Sequence, residues 1–137
     1  VGMTAALRET VAELPQVGTR VGALRDRLVD GVTAAAGGVH EVAPRAIRVP
    51  GSAHICIEGV ESEAILFLLD RAGVCASAAS ACASGAMEPS HVLAAMGVDP
   101  SLSRGALRMT LGHTTTQAEV DRAIEVLVAG IRQLRRD

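Results

Sequence analysis

Cys82 sits in the run Ser77 to Leu93 among Ser80, Ala81, Ala83, Ser84 and Gly85, side chains of almost no bulk. A thiol kept for packing is normally walled in by Leu, Val or Ile. Here nothing large anchors it, so ordering the segment is offset by little burial. The expectation is a mobile loop over residues 77–89 presenting an accessible thiol, either one that travels to a target or a free surface cysteine with no role. Arg108 is the second candidate. It lies in Ala106 to Leu111, where period-two alternation points it away from Leu107 and Met109. An arginine so placed grips a carboxylate bidentately, unless it is simply the wet side of an edge strand. All thirteen basic residues of the Lys+Arg count are arginine. With no lysine, no side-chain ammonium is available to form an imine with a carbonyl compound.

Other reactive side chains read less sharply. His54, His91 and His113, with Cys56, Cys75 and Cys82, raise the question of a metal. His54 and Cys56 share a strand face, but no close Cys–Cys or His–His pair accompanies them, so no permanent metal site is expected. Cys56 and Cys75 read as strand-packing thiols, and His91 as structural. Neither usual form of phosphate-binding glycine loop occurs. Glu61 and Glu63 read as first-turn helix acids rather than paired catalytic carboxylates.

Helices and short strands must hold these residues. Met3, Leu7, Val11 and Leu14 recur at helical spacing until Pro15 interrupts them, and Val17 to Val32 continue as a second helical stripe ended by Gly37-Gly38. Ile47 and Val49 predict a short strand. Ala53, Ile55 and Ile57 alternate with His54, Cys56 and Glu58 as a half-buried strand. Glu61 to Ala72 predicts a helix, Val74 to Ala76 a short strand, Ser90 to Met96 a helix with Ser90 as N-cap, and Ala106 to Leu111 a strand. Gly97 to Gly105 reads as irregular. Thr116 and Glu119 form a capping-box pattern that opens a last helix, with Val120, Ile124, Leu127, Ile131 and Leu134 inward. Arg132, Arg135 and Arg136 near its end suit the helix dipole. The sum is an α/β chain of the α+β kind: a short, mostly antiparallel sheet with helices packed on one side.

Composition narrows the partners. The chain has 137 residues, 49% of them hydrophobic, enough for one domain with a real core. Phe67 is the sole aromatic, so no stacking platform for bases exists, and a net charge of -2 gives no basic footprint for nucleic acid. Three irregularly spaced cysteines make no disulfide framework and favour a reducing compartment. No bilayer-length apolar run or charged-then-apolar leader appears, so a cytoplasmic location is expected. The chain opens on Val1 inside a helical pattern, which predicts a cut through a longer protein.

Ser80-Ala-Cys-Ala-Ser84 followed by Met87-Glu-Pro-Ser-His-Val-Leu93, then Ala106-Leu-Arg-Met-Thr-Leu-Gly112 and Thr114-Thr-Thr116, resembles the C-terminal part of class I cysteine desulfurases. Val1-Gly-Met3, Pro50 to Ile55 and Gly59 to Glu63 fall where that family has similar segments. The likeness runs end to end, and the Ser-Ala-Cys loop ahead of Glu-Pro-Ser is its specific signature. The resemblance implies a homodimeric enzyme of the pyridoxal-phosphate type I fold, whose large domain holds the cofactor through a lysine. It implies that L-cysteine is the substrate, that Cys82 takes its sulfur as a persulfide with release of L-alanine, and that Arg108 holds the substrate carboxylate. The sulfur then passes to an acceptor such as an iron–sulfur scaffold or a tRNA-thiolation partner, with any metal contact of Cys82 transient. Ala78-Ala79 stand where the family commonly has Ser-Gly, at some cost in backbone freedom.

On this reading residues 1–137 are the C-terminal small domain. Residues 1–36 are leading helices that pack on the absent large domain, and 37–137 are the α+β core. No cofactor-binding residue is expected in this chain, and the isolated chain is expected to be inactive. A non-catalytic sulfur-relay or partner-docking module, or a relative of the selenocysteine lyase type, is the alternative. Neither nucleic acid nor a membrane is an expected direct partner.

Overall fold

The computed structural model describes residues 1–78 and 90–136. Helix α1 (Gly2–Ala36) leads to β1 (Val39–Glu41), a single 3-10 turn at Arg45–Ile47, and β2 (Ser52–Ile57). Then follow α2 (Ser62–Arg71), α3 (His91–Ala95), α4 (Pro100–Ser103), β3 (Ala106–Thr110) and α5 (Gln117–Leu134). The three strands form an antiparallel sheet in the order β1-β2-β3.

Two leading helices were expected, and one continuous helix is found: Pro15 lies inside α1 without ending it. Proline removes one N–H and crowds the carbonyl four residues back, which kinks some helices and ends others. Here the turn that follows is tied by the Thr19 hydroxyl, which donates to the Pro15 carbonyl at 2.9 Å. The expected strand at Ile47 and Val49 is instead the 3-10 turn and its exit, with both side chains exposed. Glu41 explains it. Its carboxylate accepts from Arg45 Nε at 2.8 Å and Arg48 at 2.6 Å, pulling the backbone into a turn before Pro50. The edge strand is formed by Val39–Glu41, which alternation over so few residues did not reveal. Asp99, as N-cap, accepts from the Ser101 amide and opens α4 within the stretch expected to be irregular.

One face of the sheet carries Ala53, Ile55, Ile57, Leu107 and Met109, all buried against Val21, Leu24, Leu28 and Val32 of α1, Ile65 and Leu69 of α2, and Val120, Leu127 and Ile131 of α5. Among the described residues, the opposite face is covered only at one end. There Cys56 and Ala106 pack with Val42, Leu93 of α3 and, at the margin, Val98 and Leu102. The capping box of α5 forms as expected, with the Thr116 amide donating to Glu119 and the Glu119 amide to Thr116 Oγ1.

The arginines at the end of α5 do more than meet its own dipole. Arg132 donates to the Ala35 carbonyl, and Arg135 to those of Ala36, Gly37, Gly38 and Glu58. The Ala35 and Ala36 carbonyls are among those that α1 leaves unbonded at its C-terminus, and Gly37 is its C-cap. Gly105 has no room for a side chain, because an added Cβ would overlap the Ile57 and Val60 carbonyl oxygens. Gly105→Ala is therefore expected to cost about 3 kcal/mol, read as a lowered thermal midpoint. An unchanged midpoint would contradict this packing. Among the described residues no helix is long and apolar enough to cross a membrane.

Candidate functional site

The half-open face of the sheet gathers the reactive side chains. Cross-strand partners share a face, and His54 pairs with Arg108 while Arg108 pairs with Ser77. Val42 lies on the other side of His54, its amide donating to the His54 carbonyl at 2.9 Å. One row thus runs Val42, His54, Arg108, Ser77 across the sheet, beside the covered patch of Cys56 and Ala106. Arg108 is exposed between buried Leu107 and Met109, as the alternation predicts. Its side chain makes no hydrogen bond or ion pair to the described residues.

The Ser77 pairing explains what became of the strand expected at Val74 to Ala76. A single bridge forms at Ser77, with the Ser77 amide donating to the Arg108 carbonyl at 2.9 Å and the Arg108 amide to the Ser77 carbonyl at 2.7 Å. Ser90 marks the far end of the undescribed stretch. It is buried, caps α3 by accepting from the Leu93 amide, and belongs to the element that covers Cys56. Cys82 and most of the expected loop 77–89 lie outside the described residues.

Of the other two thiols, Cys56 is fully buried, and burial pushes it up, against forming a thiolate. Cys75 is exposed rather than packed in a strand, since no ladder forms around it. No group of three His, Cys, Asp or Glu side chains suited to a metal occurs among the described residues. His91 and His113 are exposed and take no part in the strand pairings of the row.

His54 emerges as a site residue that sequence reasoning weighed only as a metal ligand. Its Nε2 is buried without a partner among the described residues, as is Nε of Arg48. Arg48 is held by Glu41 and the Ala43 carbonyl at the sheet edge. Burial, then the charges of Arg108 and Arg48, hold the His54 imidazole below its usual 6.5. The unfolded chain therefore binds this proton first as the pH falls. Stability from His54 is present above pH 6.5 and is lost as the pH drops toward the lower folded value. His54→Gln should flatten that part of the stability profile below pH 6.5. An identical slope in the variant would contradict it.

Chemically, the row offers an exposed guanidinium for an anionic group and a neutral imidazole beside it, at the point where the chain leaves for Cys82. The family model "Aminotransferase class-V" matches residues 1–123. An IscS-like cysteine desulfurase of Mycobacterium tuberculosis is 45% identical over 137 residues, covering 99% of this chain and 35% of that protein. The cysteine desulfurase NifS of Azotobacter vinelandii is 37% identical, covering 98% of this chain and 34% of its own length. A solved NifS-like protein superposes with a TM-score of 0.78 at 27% identity, covering 91% of this chain and 31% of that one. The chain thus spans about a third of the length of the relatives it matches.

Proposed function

The chain belongs to the aminotransferase class-V family, and from that premise we propose that it is the C-terminal part of a cysteine desulfurase. Its Cys82 accepts the sulfur of L-cysteine as a persulfide, and L-alanine leaves. Arg108 holds the substrate carboxylate. The observation that carries this reading is the row His54–Arg108–Ser77: an exposed guanidinium with no partner among the described residues, hydrogen-bonded through its backbone to the residue from which the Cys82 segment departs. From Ala78, four residues of chain can span at most about 14 Å, so a thiol on that tether can meet a substrate anchored at Arg108.

Enzymes of this family depend on pyridoxal phosphate in general. The side chains present do not fit its covalent attachment, because the chain contains no lysine. Attachment of the cofactor belongs to a further part of the protein. What these residues supply is substrate anchoring and the accepting thiol. The thiolate of Cys82 attacks the substrate sulfur, a new S–S bond forms as the C–S bond breaks, and the carbon product takes up a proton. The sulfur then passes to an acceptor protein, of which an iron–sulfur scaffold is the expected kind.

The leading half of α1 fits the same reading. Met3, Leu7, Val11 and Leu14 form one stripe and are 86%, 62%, 60% and 59% exposed. This apolar face over roughly 17 Å of helix suits packing on the lysine-bearing part, whereas Val21, Leu24, Leu28 and Val32 in the second half of α1 belong to the core that positions the site, so the expected boundary at residue 37 falls too late. The test is direct. The isolated chain with L-cysteine, pyridoxal phosphate and a thiol reductant is expected to release no sulfide, and the complete protein is expected to release it. Turnover by the isolated chain would contradict the reading.

A further inference from the structure

We propose that His54 is a positioning residue for Arg108: it packs beside the guanidinium, directs it to the open face and leaves its charge available to an incoming carboxylate. The inference rests on the reading of Arg108 as the carboxylate anchor. The backbone pattern is its main support. Arg108 directs both its amide and its carbonyl to Ser77, and the His54 carbonyl is taken by the Val42 amide. His54 and Arg108 therefore face each other as a non-hydrogen-bonded pair, the kind in which Cα atoms come to about 4.5 Å and side chains lie closest.

The surroundings say what kind of neighbour His54 is. Val42 closes one side of it, the Cys56–Ala106–Leu93 patch lies along the same face, and Nε2 is shut off from water. Charged groups on the packed elements are Arg108 of β3 and Arg48, whose charge is already answered by Glu41 at 2.6 Å. Nothing acidic reaches Arg108 among the described residues. Elsewhere in this chain arginines are commonly paired: Arg27 with Asp121, Arg45 with Asp30 and Glu41, Arg25 with Asp26. A carboxylate at position 54 would do the same to Arg108 and compete with the substrate. An imidazole held neutral fills the space, keeps the guanidinium from folding down onto the sheet, and does not compete.

The experiment uses the complete protein with its cofactor. Apparent affinities are measured for L-cysteine and L-alanine, which carry a carboxylate, and for cysteamine, which does not. His54→Glu is expected to weaken both amino acids about tenfold or more, to leave cysteamine unchanged and to retain kcat at saturating cysteine. His54→Gln, uncharged and of similar size, is expected to stay within about threefold of the parent. Should His54→Glu not fold, His54→Ala serves instead, with KM raised, kcat retained and His54→Gln restoring the affinity. Equal amino-acid affinities in His54→Glu and His54→Gln, or an unaltered KM in His54→Ala, would overturn the inference. Arg108→Ala separates the two levels. If it too leaves amino-acid affinity unchanged, the carboxylate-anchor reading itself has failed. If it weakens binding while the His54 variants do not, only the role of His54 falls.

Discussion

In the complete protein, Cys82→Ser is expected to abolish sulfide release from L-cysteine, a loss of roughly a thousandfold or more, as for removal of a catalytic nucleophile. Serine keeps the size of the side chain, so binding of L-cysteine should persist. A serine hydroxyl is a far weaker nucleophile than a thiolate near neutral pH and cannot carry sulfur in a persulfide. The expectation is thus a split result: substrate still binds, and no sulfur leaves it for the protein. Sulfide assayed under multiple turnover, beside a binding titration of L-cysteine, reads both halves. Undiminished sulfide release would remove Cys82 from the reaction. The other two thiols are poor substitutes by their placement: Cys56 is sealed beneath Leu93 with its thiolate disfavoured, and Cys75 precedes the bridge at Ser77.

Arg108→Ala is expected to act on binding. A charge-assisted hydrogen bond is worth about 1.5–3 kcal/mol, so KM for L-cysteine should rise roughly 10- to 150-fold, with kcat far less affected. Arg108 is exposed and flanked by core residues whose burial does not depend on it. The variant should therefore fold, and its thermal midpoint should stay near that of the parent. Arg108→Lys should recover only part of the loss, because an ammonium lacks the planar fork that meets both carboxylate oxygens. An unchanged dependence of rate on cysteine concentration would count against the assignment.

Much of this could be read before any coordinates. The alternation of Ala53, Ile55 and Ile57 against His54 and Cys56 fixed both the strand and its two faces. The pattern of Thr116 and Glu119 placed the start of α5 to the residue. Arg108 stands where its alternation put it. What could not be read depends on contacts between distant segments. Val39–Glu41 is too short to show periodicity and becomes a strand only because the edge of β2 is there to pair with it. Ile47 and Val49 have strand-like side chains, but Glu41 draws Arg45 and Arg48 into a turn, and local propensity loses to that ion-pair cluster. Pro15 looked like a boundary, and the helix passes through it.

The site divides in the same way. Cys82 and Arg108 stand out by type and setting, whereas the part played by His54 depends on the β2–β3 register, which brings it opposite Arg108. No spacing rule within one strand encodes that juxtaposition. The alternation did place His54 on the same face as Cys56, and an arginine on the outward face of a second strand was the one available signal. Register also explains why Ser77 matters. Its two backbone hydrogen bonds to Arg108 tie the start of the cysteine segment to the proposed carboxylate anchor, so the proposed substrate grip and the proposed sulfur acceptor share one strand pairing.

Peptide mass spectrometry after a single turnover tests the central claim most directly. The complete protein is mixed with sulfur-labelled L-cysteine, alkylated without reductant and digested, and the label is located. The account predicts one added sulfur atom on the peptide that contains Cys82, removable by a thiol reductant. Label on the Cys75 or Cys56 peptide, or sulfide released with no protein-bound sulfur at any stage, would contradict it.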